Sequence, residues 1–229
     1  MVHFAWLIGS LMFLFIWGII FFFKKSLRRE MLIISFFTMP FGLTEPLFVP
    51  EYWHPQSLFD LAQKTGFDIE SLIFAFAIGG IASVFYNLIF NAKFKPLSEK
   101  EKKQKRHRWH WLILLSPPLI FLLLSLLTKL NPIYDGIIAF LSGSIAAIYC
   151  RSDLTKKIFV GGLLFFLLYF IFFSSLIMMF PDFVKTTWNL TILSGVLILG
   201  IPIEELLFAF SFGMLWSSLY EHYYWLSEK

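Results

Sequence analysis

Seven hydrophobic runs dominate the chain, and each is long enough to cross the ~30 Å hydrocarbon core of a bilayer as an α-helix. With 58% hydrophobic and 15% charged residues among 229, the chain is more apolar than a soluble domain of this length can bury. The sequence therefore predicts an all-α fold, a polytopic membrane helical bundle. The predicted spans are Val2–Phe23, Met31–Val49, Ile69–Phe90, Trp111–Leu127, Ile133–Cys150, Ile158–Phe180 and Ile203–Tyr220.

The basic residues are distributed unevenly over the predicted loops. Only Lys64, Lys129 and Lys185 of the 19 Lys and Arg fall on one side of the predicted bilayer. The positive-inside rule then places the N-terminus outside and the C-terminus in the cytoplasm of an integral membrane protein. The first run has no basic n-region and no small-residue cleavage site, so we expect a retained helix. Topology also accounts for the net charge of +4, and we expect the bilayer, not a nucleic acid, as partner.

An internal repeat organises these spans. The segment Ile69–Tyr86 shares nine of 18 residues with Ile203–Tyr220, which lies 134 positions later. The identities include a Glu, a Gly, a Ser and a Tyr, which two hydrophobic helices do not readily share by composition alone. The match extends upstream, because Trp53 precedes Glu70 at nearly the distance at which Trp188 precedes Glu204.

We interpret spans one to three and five to seven as two copies of a three-helix unit. Three spans leave the chain on the opposite side of the membrane, and the fourth span restores the orientation. The two repeats are therefore predicted to be parallel, joined by a linking helix. The predicted domains are residues 1–92 for the first repeat, 93–130 for a basic cytoplasmic loop plus the linking helix, and 131–229 for the second repeat.

Acidic residues at the ends of hydrophobic spans are the candidates for chemistry, since ionisable groups in a membrane are costly. Glu45, Glu70, Glu204 and Glu205 all lie towards the predicted outer ends of their spans. The helix dipole alone favours acids in a first turn, and Asp68 is predicted to be an ordinary N-cap. The dipole does not explain why Glu70 and Glu204 occupy the same position in both copies.

The sequence lacks the motifs of metal sites, cofactor sites and intramembrane proteases. Cys150 is the single cysteine, and no zinc spacing, phosphate loop or dinucleotide fingerprint is present, so we expect no metal and no cofactor. An intramembrane protease with a Glu-Glu motif needs an Arg four residues after the second Glu, where this chain has Ala209. The histidines are scattered along the sequence, at His3, His54, His107, His110 and His222.

The segment Gly200–Glu221, GIPIEELLFAFSFGMLWSSLYE, resembles the membrane lycopene cyclase domain of the heterodimeric and fused carotenoid cyclases. The mark of that family is Pro-x-Glu-Glu at the opening of a span, matched here by Pro202, Glu204 and Glu205. The family also has two three-span units, and this chain resembles the form in which a linking helix fuses them. The first copy departs from the motif, with Asp68-Ile69-Glu70-Ser71 in its place.

The resemblance implies a carotenoid or related isoprenoid cyclase of the lycopene β-cyclase type that uses neither flavin nor metal. Glu204 and Glu205 would then act as acid and base, with Glu70 in the equivalent role of the first half and Glu45 in support. Aromatic rings stabilise cations through their π faces, and several lie near the acids in sequence. The candidate substrate-binding residues are Phe74, Phe208, Phe212, Trp53, Trp188 and Trp216.

Two other interpretations stay open. Loss of the second acid in the first copy is also expected of a non-catalytic membrane paralogue that binds carotenoid or lipid. Trp53 and Trp188 are expected either at the outer mouth of a substrate cavity or as plain interfacial belt residues.

Overall fold

The computed structural model describes residues 4–229, and within them the chain is mostly helical. Val2 and His3, at the start of the first predicted span, lie outside the described residues. The α-helices are α1 (Ala5–Phe23), α2 (Arg28–Thr38), α3 (Leu61–Thr65), α4 (Ile69–Phe90), α5 (Glu99–Lys102), α6 (His110–Leu127), α7 (Pro132–Cys150), α8 (Thr155–Met179), α9 (Phe183–Thr187) and α10 (Ile203–Tyr223). Short 3-10 helices occupy Lys25–Leu27, Met39–Leu47, Leu58–Asp60, Lys105–His107 and Ser152–Leu154.

Five helical segments of the described chain are long and apolar enough to cross a membrane. They contain α1, α4, α6, α7 and α8, and they coincide with the first, third, fourth, fifth and sixth predicted spans. The seventh predicted span forms the 21-residue helix α10, which is not among the five because Glu204, Glu205 and several serines lower its hydropathy. The count of seven spans therefore remains a prediction.

The second predicted span, Met31–Val49, is not one continuous α-helix. Helix α2 ends at Thr38, and the chain continues as the 3-10 helix Met39–Leu47. Pro40 and Pro46 lie in that segment, and a proline has no backbone N–H to donate to the α-helical ladder. The sequence predicted the helical segment but not the change of helix type within it.

Helix α6, predicted to link the two repeats, presents many large hydrophobic side chains at its surface. Such a surface is costly in water, and lipid covers it without cost. The helix thus has the composition and exposure of one that faces a bilayer. Its exposed large hydrophobic residues are Trp111, Leu112, Leu115, Leu119, Leu122, Leu123, Leu126 and Leu127.

The chain divides into two compact units, and each draws residues from both predicted repeats. The first unit comprises the described chain up to Ile81 together with Asn131–Ile133 and Leu167–Leu206. The second comprises Ala82–Leu130, Tyr134–Phe166 and Leu207–Lys229. Helices α4, α8 and α10 each begin in one unit and end in the other.

In the first unit, glycines at the middle of α4 let α1 and α2 pack closely against it. A Cβ atom at Gly79 would collide with Thr38, and one at Gly80 would collide with Ser35 and Trp17. The Trp17 indole Nε1 donates to Ser35 Oγ at 2.9 Å across this contact. Small residues permit such close backbone approach where the bilayer gives no hydrophobic drive for helices to associate. The unit also contains the two-stranded hairpin β2 (Leu197–Ile198) and β3 (Ile201–Pro202).

In the second unit, Gly161 and Gly162 let α8 approach α10 at Ser217 and Met214. A buried ion pair joins Lys157 of α8 to Glu221 of α10. Strand β1 (Phe94–Pro96) pairs antiparallel with β4 (Leu226–Glu228), so the chain end is paired with the loop after α4.

Candidate active site in the first unit

Three polar residues of the first half form a buried cluster around the start of α4. The Ser71 backbone N–H donates to Asp68 Oδ1 at 2.5 Å, so Asp68 is the N-cap that the sequence predicted. The Ser71 hydroxyl donates to Glu45 Oε2 at 3.0 Å. Burial raises the pKa of Asp68 above its ordinary value, while the hydrogen bonds from Ser71 act in the opposite direction.

Glu70 and Glu204, the repeated glutamates, make the same kind of contact in their respective copies. The Leu58 backbone N–H donates to Glu70 Oε1 at 2.7 Å. The Ser194 backbone N–H donates to Glu204 Oε1 at 2.9 Å. In each case the donor belongs to the segment that leads into the helix, 12 and 10 residues upstream, and Leu58 begins the 3-10 helix Leu58–Asp60 of that segment. The repeated position therefore carries a carboxyl that ties its incoming loop to the first turn.

Glu205, which follows in the same turn of α10, has a different environment. The Tyr52 hydroxyl donates to Glu205 Oε1, and the Tyr169 hydroxyl donates to Oε2 at 2.5 Å. The Trp188 indole Nε1 donates to Oε1 at 3.0 Å. Glu205 and all three donors are buried. Both carboxyl oxygens are thus held by side-chain donors that come from three separate segments of the chain, and we call this group the Glu205 cage.

Tyr52 lies in the loop after the 3-10 helix Met39–Leu47. Burial and then the neighbouring Glu205 carboxyl raise the pKa of the Tyr52 phenol well above its usual range. Tyr52 consequently keeps its proton and acts as a hydrogen-bond donor at neutral pH.

A pair of backbone hydrogen bonds brings Tyr52 and Trp188 to the cage. The His54 N–H donates to the Thr187 carbonyl at 2.8 Å, and the Asn189 N–H donates to the Tyr52 carbonyl at 3.1 Å. These two bonds flank an antiparallel bridge between Trp53 and Trp188, the residues aligned by the internal repeat.

Both tryptophans are buried, and their ring centroids are 5.4 Å apart. Their environment is therefore that of packed residues and not of an exposed interfacial belt. The Trp6 ring meets Trp53 at 4.7 Å and Phe74 at 4.8 Å, and Phe74 lies 6.4 Å from Tyr169 of the cage. Aromatic rings thus surround the Glu205 cage within the first unit.

Three of the six predicted substrate-binding aromatics belong to this ring cluster, namely Trp53, Phe74 and Trp188. The other three, Phe208, Phe212 and Trp216, are residues of the second unit. There Phe212 stacks between Phe208 at 5.5 Å and Trp216 at 4.2 Å. Phe140 of α7 packs against the same stack.

Sequence reasoning missed Tyr52, Tyr169 and Trp6. Tyr52 carried a usable signal, because it adjoins Trp53 in the loop where the repeat was recognised. Tyr169 offered a weaker one, as a hydroxyl in the otherwise apolar run LLFFLLYFIFF of α8. Nothing in the local pattern indicated that either hydroxyl meets Glu205.

Comparison with known proteins identifies part of the chain. Residues 131–223 match the family model described as lycopene cyclase. Neither the curated proteins nor the solved structures include a match to the chain. The matched segment contains Glu204, Glu205, Tyr169 and Trp188, and two of its helices, α7 and α8, are long and apolar enough to cross a membrane. Residues 131–223 are thus similar to the lycopene cyclase family, and the chain has the long apolar helices of a membrane protein.

Proposed function

We propose that this protein closes a ring at the acyclic end of a carotenoid or related isoprenoid by a proton-initiated, non-redox reaction. The family of residues 131–223 suggests carotenoid cyclase activity. The observation that carries the proposal is Glu205, a buried carboxyl whose two oxygens accept hydrogen bonds from Tyr52, Tyr169 and Trp188. Burial of an acid among aromatic rings suits proton transfer to a hydrocarbon, because water in the site would compete with the hydrocarbon for the proton.

The reaction balances without an electron donor or acceptor. A proton adds to the terminal trisubstituted double bond and leaves a tertiary carbocation. The neighbouring double bond attacks this cation, so that a carbon–carbon bond closes the ring and the positive charge moves to a ring carbon. Loss of a proton from an adjacent carbon then forms the ring double bond. One proton enters and one leaves, and the product is an isomer of the substrate.

In this proposal the Glu205 carboxyl transfers a proton to or from the substrate. A positioned carboxyl that gives or takes a proton accelerates such a step by about 10²–10⁴-fold. Tyr52, Tyr169 and Trp188 orient the Glu205 carboxyl. The rings of Trp53 and Phe74 lie next to Trp188 and Tyr169 of the cage, where they would stabilise positive charge.

The other acids hold the site in shape. Glu204 and Glu70 fasten the loops that precede α10 and α4, and Glu45 accepts from Ser71. Glu204 is also the adjacent carboxyl in the first turn of α10, where the family resemblance assigns it to the acid and base pair.

A non-catalytic paralogue that binds carotenoid or lipid is the second candidate. The first half favours it, because Ser71 stands where the second half has Glu205. A protein that only binds carotenoid or lipid needs neither an acid at the Ser71 position nor hydrogen-bond donors around Glu205. The two candidates differ in whether substrate is converted.

Solvent isotope incorporation tests the reaction and its mechanism together. Membranes from cells that express the chain are mixed with lycopene in D2O. The pigments are then separated, and their molecular masses are measured by mass spectrometry. We expect cyclic product with one solvent deuterium for each ring closed, and its absence in Glu205→Gln membranes that contain equal protein. Unaltered lycopene with the wild-type protein verified in the membrane would contradict the cyclase proposal for this substrate. Cyclic product without deuterium would contradict protonation by an exchangeable group.

A further inference from the structure

A cluster of buried metal-ligand side chains lies in the second unit, away in sequence from the acids of the proposed reaction. His107, His110 and Cys150 place their ligand atoms within 4.8 Å of one another. Cys150 Sγ lies 3.4 Å from His107 Nδ1 and 3.6 Å from His110 Nδ1. The histidines that are scattered in sequence are therefore partly gathered in space.

Helix ends position the three side chains. His107 closes the 3-10 helix Lys105–His107, His110 is the first residue of α6, and Cys150 is the last residue of α7. Arg151, next to Cys150, donates from Nε and Nη2 to the Asp153 carboxylate at 2.9 and 2.7 Å. The chain on the C-terminal side of the thiol is thus fixed by a buried guanidinium.

A fourth imidazole lies beside this cluster. The ring of His222, from the end of α10, is 4.6 Å from the ring of His110, which stacks on Trp225 at 3.7 Å. His107, His110, His222 and Cys150 are all buried. Within the described residues, the His222 Nε2 atom has no hydrogen-bond partner. A buried polar atom without a partner costs free energy, and a bound cation would offset that cost.

The distances fit a tetrahedral ion. Zinc bonds of about 2.3 Å to sulfur and about 2.0–2.1 Å to nitrogen place those two ligands about 3.6 Å apart at the tetrahedral angle. Both sulfur–nitrogen distances in the cluster are close to that value. A thiolate with imidazoles favours zinc and similar borderline-soft ions over magnesium or calcium, which prefer oxygen ligands.

We propose that His107, His110 and Cys150 bind a zinc-class divalent cation, with His222 as the candidate fourth ligand. The ion would join the start of α6 to the end of α7. Through His222 it would also hold the end of α10. This site does not depend on the proposed cyclase reaction, because it shares no residue with the Glu205 cage.

Cobalt titration of the purified protein tests the site. Co²⁺ bound by a thiolate gives an ultraviolet charge-transfer absorption, and tetrahedral Co²⁺ gives visible bands. The full chain in detergent is stripped with a chelator and titrated with Co²⁺ alone and then with Zn²⁺. We expect both absorptions to saturate at one ion per chain and Zn²⁺ to displace them. Thermal unfolding in detergent should shift upward with Zn²⁺, because a ligand that binds only the folded state stabilises it.

Matched variants separate this site from unspecific binding. Cys150→Ser should abolish the charge-transfer absorption. His110→Gln should raise the Co²⁺ concentration needed for half-saturation at least tenfold. His54→Asn serves as the control and should leave the titration unchanged, since His54 is exposed and belongs to the first unit. Absence of a thiolate absorption in the folded wild-type protein would overturn the proposal. Equal metal content in wild-type and Cys150→Ser protein would also overturn it, because the metal would then be an adventitious ion only.

Discussion

The acids at the start of α4 and the acids at the start of α10 occupy aligned positions but have different surroundings. Glu70 and Glu204 make equivalent contacts with the loops that precede them. The next position is Ser71 in the first half and Glu205 in the second. Ser71 donates to Glu45, whereas Glu205 accepts from two tyrosines and a tryptophan.

The two segments share the glutamate at the first aligned position, and only the second segment has an acid, Glu205, at the next position. A glutamate common to both copies is explained by a backbone contact that each helix start needs. The residue that differs has the donors suited to proton exchange. We therefore propose that the position common to both segments meets a structural requirement, and that the position that differs carries the chemistry.

The largest expected effect is from Glu205→Gln. The variant keeps the shape of the side chain but cannot exchange a proton, so we expect ring formation in membranes to fall by at least about 100-fold. Pigment chromatography in a lycopene-accumulating bacterium measures the loss. The same substitution at the Glu45 carboxyl of the first half, Glu45→Gln, should leave the rate within about threefold, because Gln still accepts from Ser71. Equal losses in both variants would show that the two halves do not differ in the way proposed.

Removal of one hydroxyl from the cage should have a smaller effect. In Tyr169→Phe the Glu205 carboxyl loses its bond at Oε2 but stays bonded at Oε1. A hydrogen bond to a neutral carboxyl contributes about 0.5–1.5 kcal/mol, which predicts a loss of about 2- to 10-fold in turnover with little change in protein level. Tyr149→Phe, a change at an exposed tyrosine of α7, is the control. Wild-type turnover in Tyr169→Phe would exclude the phenol from positioning Glu205.

The repeated glutamates should contribute to stability to similar extents. Glu70→Ala and Glu204→Ala each leave a loop N–H without its acceptor, at a cost of about 1–3 kcal/mol. For a chain of this size, each kcal/mol lowers the unfolding midpoint by about 2–4 °C. Thermal unfolding in detergent measures both variants. Glu70→Gln and Glu204→Gln keep an acceptor oxygen and should lose less, and a Gln variant as unstable as its Ala counterpart would argue against the backbone contact.

The smallest effect concerns Asp68 and its response to pH. Burial raises the pKa of Asp68 in the folded state above its ordinary value of 3.8. The folded protein then holds this proton at pH values where the unfolded chain has released it, so stability declines as pH rises from about 3.8 through the folded pKa. Asp68→Asn keeps the N-cap and removes that titration. The unfolding midpoint of the variant, relative to wild type, should increase over this pH range, whereas a constant difference would contradict the raised pKa.

Much of the fold could be predicted from the sequence because helix formation in a membrane depends on local composition. A long apolar run must satisfy its own backbone hydrogen bonds, so its limits predict the limits of a helix. The predicted span Ile69–Phe90 and helix α4 have the same bounds. The prediction was less successful for Met31–Val49, where two prolines change the helix type without interrupting the apolar run.

The sequence by itself determined the membrane character, most helix limits, the family resemblance and the acids at the helix starts. Only the tertiary structure decided which acid acquires a donor cage and which histidines meet the cysteine. Tyr52 is 153 positions from Glu205, and His107 is 43 positions from Cys150. Contacts over such separations depend on how the helices pack and how Trp53 pairs with Trp188, and local periodicity contains no record of that packing.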